Sequence, residues 1–596
     1  MQHRKSGVLA HPTSFPSEYG IGDLGKGAYD FIDFLKNAKQ TLWQILPLGP
    51  TGFGDSPYQS FSTFAGNPYL ISPEILKKDG LISEVPAPDF EINPRKIDYG
   101  KVGVYKRQIL KISFDTFKKG AFDELKTEFK AFADANKKWL DDFALFAAVK
   151  AFYINDRKDG KKGALYNSYK KNHDGKLAEN LIDDNFYGAV WQTWEAELSA
   201  HSDDAVKKWK DKLSKDIEYY QFEQFLFFKQ WNALKTYANE NDIKIIGDIP
   251  IFVALDSADV WANTRLFDIG ENGDPNSVAG VPPDYFTEDG QLWGNPIYNW
   301  QTIGKGHYKW WKDRIRAAFN LVDILRIDHF IGFESYWAVP YGETTAINGK
   351  RVKGPGSKFF DSVFEELGKL PIIAEDLGVV TPAVDTLRKS FNLPGMKVLQ
   401  FAFDPTSQSS YLPHNLDTPD TVLYTGTHDN DTTVGWYHST NEESADYFRR
   451  YLRVSGDDCA WDLIRLAFST IAKTVIVPVQ DILSLGADDR MNEPGKPDGN
   501  WQFRYTADML SDGLAKGLFE LSELYGRNAA DSEEPTPEVE IKIIEETIVS
   551  VPETTDAPKK RGGRRAGTGK KPKPKEEPPA PPAEEVKPKR GRRKKS

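Results

Sequence analysis

The sequence predicts a (β/α)8 barrel, in which eight parallel strands alternate with helices. Three observations favour this fold: eight short apolar runs recur along the chain, helical patterns lie between them, and most of the runs end in polar or acidic residues. Continuous apolar strands that alternate with helices are typical of a parallel sheet covered on both faces. Eight such units indicate a closed barrel, whose chemistry lies at the carboxyl ends of the strands.

The apolar runs are the predicted barrel strands. In chain order they are residues 6–11, 42–48, 243–253, 321–329, 371–378, 396–403, 421–430 and 474–483. The connection between the second and third runs is the longest and contains helical patterns, so we expect a largely helical insertion at about 72–240. A Gly-, Pro- and Trp-rich segment at about 256–305 predicts a second insertion that caps the active site, because connections this long are usually functional.

The composition indicates a globular body followed by a charged tail. Of the 596 residues 13% are aromatic, but the last aromatic residue is Tyr525. Residues 528–596 are rich in Pro, Lys and Glu and cannot bury enough apolar surface to offset the entropy cost of ordering. We therefore predict a catalytic barrel domain at residues 1–527 and a disordered tail at 528–596.

Charge is segregated within the tail. Residues 531–558 carry a net charge of roughly −8 and residues 559–596 roughly +12, within a chain whose net charge is −10. The body is therefore acidic, which makes it a poor surface for nucleic acid. The basic block is interpreted either as a solvated tail or as a weak contact site for a polyanion.

The sequence argues against a membrane or secreted protein. No apolar run approaches the roughly 18 residues of a membrane helix, and the N-terminus lacks the apolar core of a secretory signal. The single cysteine, Cys459, rules out an intramolecular disulfide and argues against a Cys-rich zinc site. It suits a reducing compartment, so we expect a cytoplasmic protein.

The motif LRIDHF carries the first candidate catalytic residue. Arg326 and Asp328 are two residues apart on a predicted strand, so their side chains share one face. A neighbouring Arg keeps a carboxylate ionised, which makes Asp328 a candidate nucleophile at the barrel mouth. A structural ion pair at the strand end is the alternative.

The motif IIAEDLG carries the second. Glu375 follows four apolar residues at the end of another predicted strand. A carboxyl group in such a setting can have a raised pKa and act as a general acid. The alternative is that Glu375 or Asp376 caps the following helix, although Thr381 and Pro382 already provide a helix start.

Two further motifs add carboxylates. In YTGTHDND, His428, Asp429 and Asp431 follow a strand, and either a metal site or a carboxylate that stabilises positive charge fits this pattern. In GDIPIFV, Asp248 lies at a strand end and either binds substrate or organises neighbouring loops.

Carboxylates at the ends of several strands predict glycosyl transfer. A pair about 5–5.5 Å apart performs the retaining reaction, in which one attacks the anomeric carbon and the other protonates the leaving oxygen. Aromatic residues of predicted loops could stack on sugar faces, with packing as the alternative for each one. They are Tyr58, Trp261, Tyr285, Trp293, Tyr298, Trp300 and Trp501.

Together these motifs resemble one known family. The set GDSPYQSFSTFAGNPYLI, GDIPIFV, LRIDHF, IAEDLG, YTGTHDND and PVQDIL is similar to the 4-α-glucanotransferases called amylomaltases or disproportionating enzymes, which form glycoside hydrolase family 77 of the α-amylase superfamily. The resemblance runs from about Ser6 to Tyr525 with every motif in order. The charged tail lies outside the family pattern.

The resemblance implies a role for each matching residue. Asp328 would be the nucleophile, Glu375 the acid/base and Asp429 the transition-state stabiliser. The residues that would bind substrate are Arg326, His428 and Asp248 at the donor site, His329 directly after the nucleophile, Tyr58 in the glucan-contacting loop, Trp293 and Asn295 in the loop over the cleft, and Asn492 after the last strand. Donors and acceptors would be α-1,4-glucans, and neither a metal nor an organic cofactor is expected.

Three alternatives remain at this stage. An α-glucan hydrolase would use the same carboxylates, and a glucan-binding module without catalysis would use the aromatic residues alone. A nucleic-acid-associated protein would act through the basic tail.

Overall fold

The computed structural model describes residues 4–283, 288–405, 409–496 and 498–527. The predicted tail at 528–596 and Tyr285 lie outside these residues. Strands are numbered here in chain order: β1 Lys5–Leu9, β2 Leu42–Gln44, β3 Lys244–Pro250, β4 Ser277–Val281, β5 Gln291–Pro296, β6 Ile324–Asp328, β7 Ser335–Pro340, β8 Lys350–Lys353, β9 Ile372–Ala374, β10 Gly395–Val398, β11 Thr421–Tyr424 and β12 Thr474–Pro478.

The predicted barrel is confirmed. Eight parallel strands form one sheet in the order β10-β11-β12-β1-β2-β3-β6-β9, and each lies within one of the apolar runs or begins one residue outside it. The two ends of this sheet meet where the Ala374 amide donates a 2.9 Å hydrogen bond to the Pro394 carbonyl, just before β10. Because all eight strands run in the same direction, their carboxyl ends form one rim.

Helices cover the barrel. Those of the barrel body are α1 Lys26–Asn37, α10 Ala258–Ala262, α11 Trp300–Lys305, α12 Lys309–Leu321, α13 Ser357–Leu367, α14 Pro382–Ser390, α15 Thr433–Ser439, α16 Glu442–Leu452, α17 Cys459–Ser469, α18 Val479–Ile482 and α19 Asp512–Leu524. In the described part of the connection from β10 to β11, 3-10 turns replace the α-helix that a regular barrel has at this place.

The long connection between β2 and β3 is helical, as the sequence predicts. Its helices are α2 Pro73–Lys78, α3 Tyr99–Lys119, α4 Asp123–Arg157, α5 Ala164–His173, α6 Glu179–Tyr187, α7 Ala196–Ser199, α8 Asp203–Lys212 and α9 Ser214–Glu240. The last of them, α9, also packs on the barrel, where the Trp231 indole N–H donates to the Leu321 carbonyl at 2.9 Å.

A second sheet lies in the connections that follow β3 and β6. Strands β4, β5, β7 and β8 pair antiparallel in the order β5-β4-β7-β8. The sequence predicts an insertion at about 256–305 but does not predict this sheet. The sheet pairs β4 and β5 of that insertion with β7 and β8 at residues 335–353. No helix among the described residues is long and apolar enough to cross a membrane.

Candidate active site

Three carboxylates lie along the carboxyl-end rim of the barrel. Asp328 is the last residue of β6, Glu375 directly follows β9, and Asp429 lies in the loop after β11. Their environments differ, because Glu375 is 8% exposed as a residue, whereas the Asp328 and Asp429 side chains are 27% and 46% exposed. The structure therefore places three carboxyl groups with different access to solvent on the same rim.

Arg326 connects Asp328 to Asp248. Nη2 of Arg326 lies 2.9 Å from Oδ1 of Asp328, and Nη1 donates to Oδ2 of Asp248. Asp248 is directly opposite Arg326 in the β3–β6 register, so strand pairing sets this contact. Burial opposes the charge of Arg326, but the Asp248 and Asp328 carboxylates outweigh it and hold the pKa of Arg326 well above its ordinary value.

Asp248 also binds Tyr58 from a distant loop. The Tyr58 hydroxyl donates to Oδ2 of Asp248 at 2.7 Å, which fixes the glucan-contacting loop predicted from the sequence against β3. Burial raises the pKa of Asp248 to about 6, although Arg326 opposes this shift. Asp248 thus organises neighbouring side chains, as one of the two sequence interpretations predicts.

Glu375 is held by two backbone amides. His329 N–H donates to its Oε2 at 2.7 Å, and Leu377 N–H donates to its Oε1 at 2.8 Å. Burial, and then the charge of nearby Asp328, raise the pKa of Glu375 to about 8. The raised pKa favours the protonated form of Glu375, which is the form that can donate a proton.

Neither acidic residue of the IIAEDLG motif caps the next helix. Helix α14 begins after Thr381, whose side chain accepts a bond from the Val384 amide. Asp376 instead accepts a 2.7 Å bond from the Met396 amide and pairs with Arg388 at 3.0 Å. It therefore ties β9 to β10, where the ends of the sheet meet.

The Asp429 side chain is oriented by residues after β12. Asn492 donates to its Oδ1 at 2.6 Å, and Nη2 of Arg490 donates to its backbone carbonyl at 2.5 Å. His428 Nε2 lies 3.4 Å from the same Oδ1. Sequence reasoning missed Arg490, although it stands two residues before Asn492 in the same Arg-Met-Asn segment.

Aromatic rings pack against His428 and His329, the histidines adjacent in sequence to Asp429 and Asp328. Tyr58 stacks on His428 with ring centroids 5.1 Å apart and planes at 11°, and Trp501 lies 5.9 Å from the same imidazole. Trp293 meets His329 edge-on at 4.8 Å. Burial lowers the pKa of His329 to about 4, so this ring is neutral at physiological pH.

Gln59 joins the loop of Tyr58 to strand β5, which contains Trp293 and Asn295, so the prediction that these two residues lie in a loop is wrong. Its side-chain amide donates to the Trp293 carbonyl at 3.2 Å and to Oδ1 of Asn295 at 3.0 Å. Asn295 is buried in β5. Sequence reasoning missed Gln59, whose only signal is its position next to Tyr58.

Several loop aromatics of the sequence analysis pack inside the protein. Trp261 lies in α10, is fully buried, and donates to the Leu198 carbonyl at 2.8 Å. Tyr298 is buried and donates to the Ile251 carbonyl at 2.9 Å, and Trp300 begins α11 and contacts both Tyr298 and Phe333. The interpretation of Trp261 and Tyr298 as sugar platforms is therefore wrong.

The metal alternative finds no support in the described part of the chain. Among these residues, no group of three or more His, Cys, Asp or Glu side chains is placed to hold a metal ion. Asp429 instead contacts the Asn492 side-chain amide and the His428 imidazole. Asp431 accepts a 2.7 Å bond from the Thr432 backbone amide.

Comparison with known proteins finds one family over most of the chain. Residues 10–510 match the model of the family described as 4-alpha-glucanotransferase. A 4-alpha-glucanotransferase from Synechocystis sp. is 47% identical over 533 residues, covering 88% of this chain and 99% of that protein. One from Thermus thermophilus is 44% identical over 515 residues, covering 85% and 96%.

A solved structure is similar over the same region. The amylomaltase from Streptococcus agalactiae in complex with acarbose superposes with a TM-score of 0.80 at 37% sequence identity. The match covers 88% of this chain and 99% of that one. The similarity therefore extends over the barrel and its insertions together.

Proposed function

The chain belongs to the 4-alpha-glucanotransferase family, and we propose that it transfers α-1,4-glucan segments by a retaining mechanism with Asp328 as nucleophile. In this proposal Glu375 is the acid/base and Asp429 stabilises the transition state. This assignment of roles rests on the contrast between the carboxyl groups of Asp328 and Glu375. Asp328 is ion-paired with Arg326, whereas burial raises the pKa of Glu375 to about 8. Environments that differ in this way assign one group as base or nucleophile and the other as acid.

The first half-reaction cleaves the donor. A carboxylate oxygen of Asp328 attacks C1 of a glucose unit, and the bond from C1 to the leaving oxygen breaks. Glu375 gives its proton to that oxygen, so the reducing-end fragment leaves as an alcohol. The other fragment stays attached to Asp328 as a glycosyl ester.

The second half-reaction forms the new linkage. Glu375, now ionised, takes the proton from the 4-hydroxyl of an acceptor glucan. The acceptor oxygen attacks C1 and displaces Asp328, which regenerates both carboxyl groups. Positive charge develops at C1 in each transition state, and Asp429, held by Asn492 and Arg490, is oriented to stabilise it.

The substrate-binding roles follow the contacts around these carboxylates. We assign Asp248, Arg326, His329 and His428 to the donor site, and Tyr58 together with Trp293 and Asn295 of β5 to the surface that holds the glucan. Gln59 links the loop of Tyr58 to β5. Asn492 acts through Asp429.

Incubation with maltotriose tests the activity. Transfer yields glucose together with a ladder of longer maltooligosaccharides, which chromatography separates. An α-glucan hydrolase would yield only shorter sugars, and a binding module without catalysis would leave maltotriose unchanged. Either of these results would contradict the proposal.

We also propose that the enzyme is cytoplasmic. Cys459 is buried and unpaired, which suits a reducing compartment. A relative from Arabidopsis thaliana, 39% identical over 532 residues, is named as chloroplastic/amyloplastic. Cell fractionation followed by detection of the protein distinguishes these compartments.

A further inference from the structure

A small cavity lies behind the loop that carries Asp429. Its walls come from the segment after β1, the loop of residues 427–432, the start of α18, and Arg490 with Met491. Its volume is about 20 Å³. A cavity needs about 10–15 Å³ on this measure to hold one water molecule, so one water fits.

Two polar side chains line this cavity without a partner. His11 is 5% exposed and Ser14 is fully buried. Within the described part of the chain, neither Nδ1 of His11 nor Oγ of Ser14 has a hydrogen-bonding partner. Buried polar groups are nearly always hydrogen-bonded, to protein or to ordered water, so these two atoms point to a bound molecule.

The backbone that carries both residues is fixed. The Trp43 indole N–H donates to the Ala10 carbonyl at 2.8 Å, and the Ser14 amide donates to the His11 carbonyl at 2.9 Å. The Tyr505 amide donates to the Ser14 carbonyl at 3.1 Å. The backbone at His11 and Ser14 is therefore held in place beside the cavity.

His11 is neutral under working conditions. Burial, and then the proximity of His428, lower the pKa of His11 to about 3. A neutral imidazole has one donor and one acceptor nitrogen. A water molecule can satisfy either form of Nδ1, because water both donates and accepts.

We propose that His11 and Ser14 hold one resident water molecule in this cavity, and that this water positions the loop carrying His428 and Asp429. The water would support that loop in addition to the bonds from Asn492 and Arg490. The kinetic part of the proposal depends on the role given above to Asp429. The water site itself does not.

Positioning of Asp429 predicts a particular kinetic effect. A group that acts on the transition state affects kcat more than KM when it is displaced. Loss of one hydrogen bond in the support lowers kcat by up to about ten-fold. His11 and Ser14 are therefore positioning residues and not catalytic residues.

The test compares matched variants with maltotriose as substrate. We expect Ser14→Ala and His11→Phe to lower kcat by up to about ten-fold, with a much smaller change in KM. His11→Asn keeps a polar atom near the position of Nδ1 and retains most of kcat. Ser6→Ala is the control, because the Ser6 hydroxyl is equally buried and unpartnered but does not line the cavity.

A crystal structure of the unmodified enzyme, at a resolution that shows ordered water, provides the independent measurement. We expect one water within hydrogen-bonding distance of both His11 Nδ1 and Ser14 Oγ. Absence of that water, or equal kinetic effects of Ser14→Ala and Ser6→Ala, would overturn the proposal. A wild-type enzyme that lacks transfer activity but contains the water would instead contradict the proposed function. If His11→Phe does not fold, Ser14→Ala, which removes a single oxygen atom, still tests the proposed water site.

Discussion

The backbone amide of His329 donates a 2.7 Å hydrogen bond to Oε2 of Glu375. His329 follows Asp328 directly, so this bond joins the proposed nucleophile to the proposed acid through one peptide unit. His329 adopts a left-handed backbone conformation with φ of 52°, which is unfavourable for a residue with a side chain. Strain of this kind persists where the surroundings hold it and is common at functional sites.

Replacing Asp328 tests the nucleophile. We expect Asp328→Asn to lower the rate of transfer from maltotriose by at least about ten-thousand-fold, because the covalent route is lost. Circular dichroism and calorimetric titration with a maltooligosaccharide measure folding and binding, and both should remain close to those of the wild type. Loss of folding would favour the structural ion-pair interpretation of Arg326 and Asp328. Near-normal turnover would refute the assignment.

Replacing Glu375 links catalysis to stability. The pKa of Glu375 is raised in the folded state, chiefly by burial and then by Asp328. Above the ordinary pKa of 4.5, Glu375 therefore keeps its proton in the folded protein but loses it in the unfolded chain. This lowers the free energy of unfolding increasingly as pH rises from about 4.5 to about 8. The variant Glu375→Gln has no such titration.

We therefore expect the melting temperature of Glu375→Gln, relative to wild type, to increase between pH 5 and pH 8. Differential scanning calorimetry at several pH values measures this trend. Wild-type transfer should decline as pH rises through about 8, where Glu375 loses its proton. A stability difference that is constant with pH would contradict the raised pKa.

Much of the barrel and its rim could be predicted from the sequence because the signals are local. Each barrel strand is a continuous apolar run, and Asp328 and Glu375 stand where those runs end. The second sheet could not be predicted. Its β8 strand, KRVK, is largely exposed, and β4 has an irregularity in its pairing between Val278 and Gly280.

The contacts between distant segments were also beyond sequence reasoning. Tyr58 and Asp248 are bonded across 190 positions, and only the register of the strands and the path of the loop bring them together. Trp261 is misplaced for the same reason. Its position in the sequence suggests a loop, whereas the structure places it in a buried helix. Local patterns give no information about such tertiary placement.

A buried histidine predicts a second pH dependence. His173 at the end of α5 lies 2.7 Å from Asp274 in the connection that precedes β4, and its other ring nitrogen lies 2.8 Å from the Tyr169 carbonyl. Burial opposes the charged imidazole, but these two oxygens outweigh burial and raise the pKa of His173. The pair therefore stabilises the fold fully below the ordinary pKa of 6.5 and loses this contribution as pH rises through the raised value.

We expect His173→Gln to lower the melting temperature more at pH 6 than at pH 9. Thermal unfolding of the variant and the wild type at both pH values measures the difference. His438→Gln, which removes an exposed imidazole, is the control and should show no such dependence. An equal effect of His173→Gln at both pH values would show that the pair does not titrate in this range.

Residues 528–596 are expected to be dispensable for catalysis. They follow Arg527, whose buried guanidinium donates to the Phe468 carbonyl at 2.8 Å and to the Ala472 carbonyl at 3.0 Å. It also donates to the carbonyl of Lys5, the first residue of β1. Arg527 therefore lies at the amino-terminal ends of the strands, opposite the rim that carries the carboxylates. A chain that ends at Arg527 should disproportionate maltotriose at the wild-type rate, and one that ends at Gly526 should be less stable.

The basic block predicts a separate, salt-dependent property. Residues 559–596 carry roughly +12 net charges, and such a block binds polyanions through interactions that are screened over about 8 Å at physiological salt. We expect the full chain to be retained on heparin at low salt, and a chain that ends at Pro558, which keeps the acidic residues 531–558, to lose this retention. Both should have the same transfer activity, because the charge block lies outside the region that matches the family. If the full chain is not retained even at low salt, the acidic residues or the acidic body neutralise the basic block, and the polyanion proposal is wrong.

If ending the chain at Arg527 abolishes transfer, part of the tail belongs to the folded enzyme and the domain boundary at 527 is wrong.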